Sequence, residues 1–434
     1  MSALNQRIEL LRRVEAFRPL VYDRRFDGAL ASMVAPPYDL IGPERQAQLY
    51  GRSPFNVVRL ELNHDPDRYD SAARLLRDWL REGVLVRADK PAIYLYTQKF
   101  RHQGRTVARA GLVVRFRLEE FSRGRILPHE RTFPAPKLDR LRLLEATRTN
   151  LSSIFGLYSG AYPELDLLRM NVARRAPIRQ VTDDLGIDNE LREIEAPDEI
   201  AAVQRALDSS CVLIADGHHR YETALEYRRQ MRAAEGNPAG FKPYDYVMMT
   251  LVACDDPGLV ILPTHRLVRR LPREAIGSFA SRARELFVVE SFADPAQFRA
   301  RLAEAGRGAL GVALAGRGAL YMIRLKDPAA IAAQAVPEPV RQLDVSILHA
   351  LVLQPIFQLD PDAIKAGGNI EYTIDAEAAL EAVASGSADG AFLVNPPSIA
   401  DVVRVSEAGA TMPEKSTYFY PKLLTGLVMN PLFD

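Results

Sequence analysis

The chain has 434 residues, 47% of them apolar and 26% charged, and its 56 Lys+Arg against 55 Asp+Glu leave a formal net charge of +1. That balance excludes a wholly disordered, collagen-like, low-complexity or disulfide-stapled protein, and it provides no global field to steer the chain to nucleic acid or acidic lipid. The length suggests two to three domains.

The opening stretch MSALNQRIELLRRVEAFRPL has no apolar core of a secretion signal, and no uncharged apolar run is long enough to span a bilayer, so a cytoplasmic chain is expected. Helix-like and strand-like segments alternate without internal repeats, which predicts an α/β (α+β) fold with mixed sheets. VAPPYDLI, residues 34–41, is a Pro-Pro turn that sets Tyr38 and Asp39 at a strand end. NVVRLEL from Asn56 reads as a strand with Arg59 and Glu61 on one face. Asp65-Pro66 opens a helix in which Tyr69, Ala72, Ala73, Leu76, Trp79 and Leu80 fall at helical spacing and Gly83 ends the run. AIYLYTQKF from Ala92 and AGLVVRFRLEEF from Ala110 are strands joined by the hairpin turn RHQGR. The arginine-rich stretch from Arg101 to Arg148 reads first as a solvated sheet face, then as a phosphate-facing surface. Aromatic interleaving with a basic domain charge, the mark of a nucleic-acid groove, is missing. Residues 161–210 read as a peripheral helical region with a polar connection, VTDDLGIDNE. CVLIA from Cys211 is an apolar strand that runs into DGHHR and a helix ended by Gly236 and Pro238. YDYVMMTLVAC and LVILPTHRLV are buried strands joined by DDPG. Cys211 and Cys254 sit in apolar runs and read as two buried thiols. Helices near 272–286, 296–305, 341–353 and 376–385 alternate with strands LGVALAG, ALYMIRL, IEYTI and AFLVNPP. Four parts follow: 1–160, an N-terminal α/β part carrying the HE/PK-x-DR loop; 161–270, a central part with the DGHHR turn; 271–335, an αβ appendage; and 336–434, a C-terminal part returning to the core.

The strongest local signal is ADGHHRYETAL, residues 215–225. A buried strand, a glycine turn and a helix start place the amides of Gly217, His218 and His219 at a helix N-terminus, where the peptide dipoles favour an anion. Arg220 adds a fork of donors suited to phosphate. Asp216 would repel a bare phosphate, so it binds Mg²⁺, acts as a base or caps the helix. The second signal is LPHERTFPAPKLDRLRLLEATRTNLSSIFGLY, residues 127–158. His129 and Glu130 offer an acid/base or metal pair, and Lys137 and Arg140 supply cations. Asp139 caps a helix with Leu138, Leu141, Leu144 and Ala146 inward, and Asn150 and Ser152 follow it beside a pocket. Further pocket candidates are His265 and Arg266 at a strand end, and Ser416 and Thr417 in KSTYFYPKLLTGLV, a stretch that also combines Lys415 and Lys422 with three aromatics. No Walker loop, dinucleotide fingerprint, G-x-S-x-G or H-E-x-x-H is present.

Taken in order, VAPPYDLI, NVVRLEL, HERTFPAPKLDRLRLLEATRTNLSSIFGLY, ADGHHRYETAL, LPTHR and MPEKSTYFYPKLLTGLV resemble the bacterial and archaeal family catalogued as "domain of unknown function 1015" over nearly the whole chain. The DG-x-HR turn in addition resembles that of the ParB/sulfiredoxin-like superfamily, which includes free serine kinases. The resemblance implies a phosphate-binding turn of Asp216, Gly217, His219 and Arg220 with His218 beside them. It also implies an upstream catalytic glutamate, for which Glu61 and Glu130 are the candidates. The function expected is therefore a kinase-like phosphotransferase that moves phosphate from a nucleotide or pyrophosphate to a small hydroxyl acceptor such as free L-serine. In that reading Glu130, Asp216, His218 and His219 are catalytic. Gly217, His218, His219, Arg220, Lys137, Arg140 and Lys415 hold the donor phosphate, Mg²⁺ bridges the phosphates, and no organic prosthetic group is called for. Two other readings stand beside it: a metal-dependent hydrolase built on His129, Glu130, Asp216, His218 and His219, and a non-catalytic nucleotide- or nucleic-acid-linked binding module. Near-zero net charge speaks against nucleic acid.

Overall fold

The computed structural model describes residues 12–130, 132, 134–359 and 368–433; Met1–Leu11 and Arg131, on which parts of the sequence reading fall, lie outside them. The chain divides into two units, one of Met1–Pro128, Thr132–Leu259 and Pro421–Asp434, the other of His129–Arg131 and Val260–Tyr420. Among the described residues no helix is long and apolar enough to cross a membrane.

The first unit is built on a nine-stranded mixed sheet. Its strands are β1 (Val14–Glu15), β2 (Ile93–His102), β3 (Arg105–Arg117), β4 (Ile126–Leu127), β5 (Ile154–Tyr158), β6 (Arg179–Thr182), β7 (Asp188–Ile194), β8 (Val212–Asp216) and β9 (Tyr246–Ala253). They lie in the order β4-β8-β5-β9-β3-β2-β7-β6, with β1 against β3. β4 with β8 and β5 with β9 are parallel. The long β2–β3 hairpin turns at Gln103 and Gly104, both with positive φ (48° and 77°), a geometry whose twist matches that of the strands. Leu95, Leu112, Val114, Phe116, Ile154, Ile214 and Leu251 point to one face. There they pack with Leu165 and Val172, with Val203 and Leu207, and with Tyr221 and Leu225 from three helices. The opposite face of β2 carries Tyr94, Tyr96 and Gln98, and these are buried as well.

Three helices surround the site described below: α1 (Val58–Glu61), α2 (Arg68–Arg81) and α3 (Pro134–Thr147). α1 corrects the expected strand NVVRLEL. Asn56 is fully buried and its Oδ1 accepts from the Val58 amide at 2.9 Å, which turns the chain into a short helix despite its β-branched valines. α3 begins at Pro134, not at Asp139, so Asp139 is an interior residue and not a cap. Its inward positions are Arg140, Leu143, Leu144 and Thr147, while Leu138 is half exposed. The stripe is displaced because a paired arginine heads it. The region 161–210 is not only helical: β6 and β7 join the sheet, and β7 pairs with β2 over its length. Its polar residues Asn189, Glu190 and Arg192 are buried because each finds a hydrogen-bond or ionic partner there. Cys211 is exposed just ahead of β8 and Cys254 is half-buried, neither of them in a disulfide, which corrects the expectation of two buried thiols.

The second unit holds a six-stranded antiparallel sheet: Phe287–Phe292, Leu320–Leu325, Ala309–Leu314, Gly390–Leu393, His265–Val268 and Ile370–Thr373, in that order across it. Pro263 splits LVILPTHRLV, so that Val260–Leu262 pairs separately with Tyr418–Tyr420. The helix expected at 341–353 is Asp344–Leu348 followed by a π turn, His349–Leu353, and then Gln354–Phe357.

Candidate functional site

The DGHHR turn leaves the sheet at the end of β8. Register shifts between Ile214 and Asp216, and this bulge re-aims Asp216. Gly217 takes φ 94° and starts α4 (His218–Ala234), a helix of 17 residues. A Cβ on Gly217 would lie 3.0–3.1 Å from the Arg220 guanidinium, so the turn needs glycine for its conformation and for its space. Asp216 holds two cations. Arg220 Nη2 donates to Oδ2 at 2.8 Å and Lys422 Nζ to Oδ1 at 2.6 Å. Burial alone would raise the Asp216 carboxyl; Lys422 and Arg220 reverse this and hold it far below the ordinary carboxylate range. Arg220 Nη1 donates to the Ser153 carbonyl at 2.6 Å, and its buried Nε has no hydrogen-bond partner. The turn thus presents helix amides backed by two cations and one carboxylate, a net positive site.

Beside it lies a pocket of about 50 Å³ lined by Glu61, Arg140, Asn150, Ser152, Arg220 and Thr223 over an apolar floor from α3, β5 and β9. Glu61 is 3% exposed. Its Oε1 accepts from Arg140 Nη1 at 3.2 Å and from Ser152 Oγ at 3.1 Å, whereas the buried Oε2 has no hydrogen-bond partner. Leaving such an atom without a donor costs about 1–3 kcal/mol. Arg140 is tied on every side. It donates to the Glu61 carbonyl and to Asp139, and its guanidinium lies 4.2 Å from the Tyr38 ring centroid. Tyr38 begins a 3₁₀ turn, and burial pushes its hydroxyl up to about 12. Glu61, Arg140 and Leu143 also wall a second cavity of about 230 Å³ with Gln46, Asn63, Arg68, Tyr69 and Asp139. In it Asp139 accepts from Tyr69 and Arg68.

The other candidates of this unit are placed as follows. Asn150 Oδ1 accepts from the Met248 amide and from Asn430, which fixes the pocket floor. Arg59 donates to the carbonyls of Ser53 and Tyr50, and Asp39 is exposed. Lys137 Nζ is 2.7 Å from Glu222 on α4, which also accepts from Thr132. His218 is buried and His219 half-buried at the start of α4. Lys422, noted in the tail motif without a role, is the site's second cation.

The remaining candidates belong to the second unit. His129 is fully buried, with Nε2 2.8 Å from Thr417 Oγ1, and Thr417 also donates to Glu130 at 3.3 Å. Arg266 is fully buried and donates to the carbonyls of Thr264, Glu414 and Lys415. It thereby holds the turn that carries Lys415, whose side chain is exposed, and Ser416, which bonds the Pro413 carbonyl. His265 Nδ1 accepts from the Val394 amide at 3.3 Å. Among the described residues no three His, Cys, Asp or Glu are grouped to hold a metal ion. Asp216, the one metal ligand suggested by the turn, already gives both oxygens to cations, so its donor set does not fit a protein-held Mg²⁺.

Solved structures similar to the chain include a free serine kinase variant in complex with AMP, at 13% identity and TM-score 0.35, covering 71% of this chain and 87% of that one. A conserved hypothetical protein from Pyrococcus furiosus matches at 13% identity and TM-score 0.34, covering 72% and 92%. SbnI with a C-terminal truncation, from Staphylococcus aureus, matches at 11% identity and TM-score 0.36, covering 74% and 87%. No curated protein matches the sequence. Residues 14–346 match the family described as "Protein of unknown function (DUF1015)", and the chain belongs to that family.

Proposed function

We propose that the chain is a phosphotransferase that moves a phosphoryl group from a nucleotide or pyrophosphate to a small hydroxyl acceptor. The observation that carries this reading is the pairing of a net-positive helix-start turn with a buried carboxylate in the pocket beside it. Phosphoryl transfer asks for positioning and for cations around the transferred group. The amides after Gly217 with Arg220 and Lys422 hold the donor phosphate. Asp216 stays ionised and orients the two cations, so it is a poor proton acceptor. Glu61, held by Arg140 and Ser152, takes the acceptor proton on Oε2. The acceptor oxygen bonds to phosphorus, and the P–O bond to the leaving nucleotide or phosphate breaks with its electron pair on the leaving oxygen. Mg²⁺ enters, in this reading, with the donor's own phosphates.

The test is a matrix of ATP, ADP and pyrophosphate against hydroxyl acceptors, free L-serine among them, followed by ³¹P NMR and mass spectrometry. A phosphorylated acceptor is expected, with Glu61→Gln losing at least about 100-fold in turnover while still binding pyrophosphate. Failure of the unmodified chain to bind any of the three donors, or full turnover by Glu61→Gln, overturns the proposal.

A further inference from the structure

A buried polar row crosses three neighbouring strands of the first unit. Asn189 on β7 stands opposite Gln98 on β2, and Gln98 stands opposite Arg109 on β3. Each is 1% exposed. Directly opposed residues share a face, so the three side chains form one line. Arg109 Nη2 donates to Gln98 Oε1 and to the carbonyl of Pro421. Gln98 Nε2 donates at 3.0 Å to Asn189 Oδ1 and at 3.0 Å to the carbonyl of Lys422. Tyr96, two residues before Gln98 on the same face, donates to Asn189 Oδ1 at 2.6 Å and accepts from the Leu424 amide at 3.3 Å. The Arg109 guanidinium also lies 4.6 Å from the ring centroid of Phe155, the residue paired with Asp216 across β5 and β8.

Taking a guanidinium and two amides out of water costs several kcal/mol, and well-packed apolar residues often serve a core as well or better. Stability alone therefore does not explain the row. Its contacts do: they fall on the backbone of Pro421, Lys422 and Leu424, a stretch outside the sheet whose lysine reaches Asp216 at 2.6 Å. We propose that Gln98 and Arg109, braced by Asn189 and Tyr96, are positioning residues that clamp this backbone so that the Lys422 ammonium is delivered to Asp216 at the Gly217 turn. That Lys422 serves a bound phosphate rests on the function proposed above; that the row places it does not.

Gln98→Met removes the amide without changing charge or much volume. Reductive methylation followed by mass spectrometry reads the accessibility of each lysine in the folded full chain. The expected result is about a tenfold faster modification of Lys422 in Gln98→Met, with Lys99 and Lys137 unchanged, beside a lower melting temperature from the buried partners that Gln98 leaves unmatched. Tyr96→Phe deletes one hydroxyl and moves Lys422 in the same sense by less, and it carries the test if Gln98→Met does not fold. Unchanged Lys422 labelling in the folded variants, or faster labelling of all three lysines, overturns the clamp. Pyrophosphate calorimetry then separates the two ideas. Gln98→Met binds about tenfold more weakly than the unmodified chain and adds nothing in the Lys422→Met background. Equal losses with and without Lys422 overturn the clamp, whereas no binding by the unmodified chain overturns the function and leaves the labelling to decide the clamp.

Discussion

Gly217 meets two demands with one missing methyl group: a left-handed φ of 94° and an arginine head-group packed where a Cβ would stand. Gly217→Ala is expected to cost about 1–2 kcal/mol through the backbone alone. It also pushes Arg220 off Asp216, so pyrophosphate affinity should fall by more than the stability loss explains. Chemical denaturation and calorimetry on the same preparation check this, and a variant with native affinity would show that the turn is not the anion site. At this scale the sequence was informative where chemistry is local. Asp216, Gly217 and Arg220 announce themselves within five positions. Glu61 could be named as a candidate but not ranked, because its unmatched oxygen exists only once Arg140 and Ser152 close around it. Lys422 and Arg109 were illegible for another reason. Lys422 lies 206 positions from Asp216, and Arg109 is one arginine of many in a stretch whose alternation specifies a face but not what covers it.

Strand His265–Val268 of the second unit begins on a histidine kept neutral by its surroundings. Burial, then the neighbouring Arg266, holds His265 down to about 4, against a partial pull upward from Asp375. His349, in the π turn, is held to about 3 by burial and Arg266. In the unfolded chain both titrate near about 6.5. Between these limits the unfolded state binds more protons than the folded one, so stability falls as pH falls. His265→Gln removes that linkage. Urea unfolding of the second unit should then lose about 2–3 kcal/mol less between pH 6.5 and pH 4.5 than in the unmodified chain. An unchanged slope would place the acid sensitivity elsewhere. Elements were most legible where periodicity and turn chemistry agree, as in the 68–81 helix and the Gln103–Gly104 hairpin. They were least legible where buried side chains decide: Asn56 turns an apparent strand into a helix, and partnered polar residues let β7 join the sheet.

Apart from the short excursion of His129–Arg131, the chain leaves its first unit at Leu259 and re-enters it at Pro421. The two crossing points are neighbours by register, since Val260 stands opposite Tyr420 at the head of an antiparallel pair. Opposed residues in such a pair are about 5 Å apart, a gap that a short Gly/Ser linker spans with little loop-closure cost. Glu61, Arg109, Arg140, Asp216, Arg220 and Lys422 all lie outside the segment between those points. Replacing Val260–Tyr420 by such a linker should therefore leave a chain that unfolds in one cooperative transition. Its Lys422 should keep the slow methylation of the parent, because Pro421 onwards still docks on Gln98 and Arg109. If it also retains pyrophosphate affinity, the anion site is complete in the first unit. If it folds but loses affinity, the residues of the first unit do not hold the donor by themselves, and the anion-site assignment to the Gly217 turn fails. A chain that fails to fold would show instead that the first unit depends on the segment it encloses.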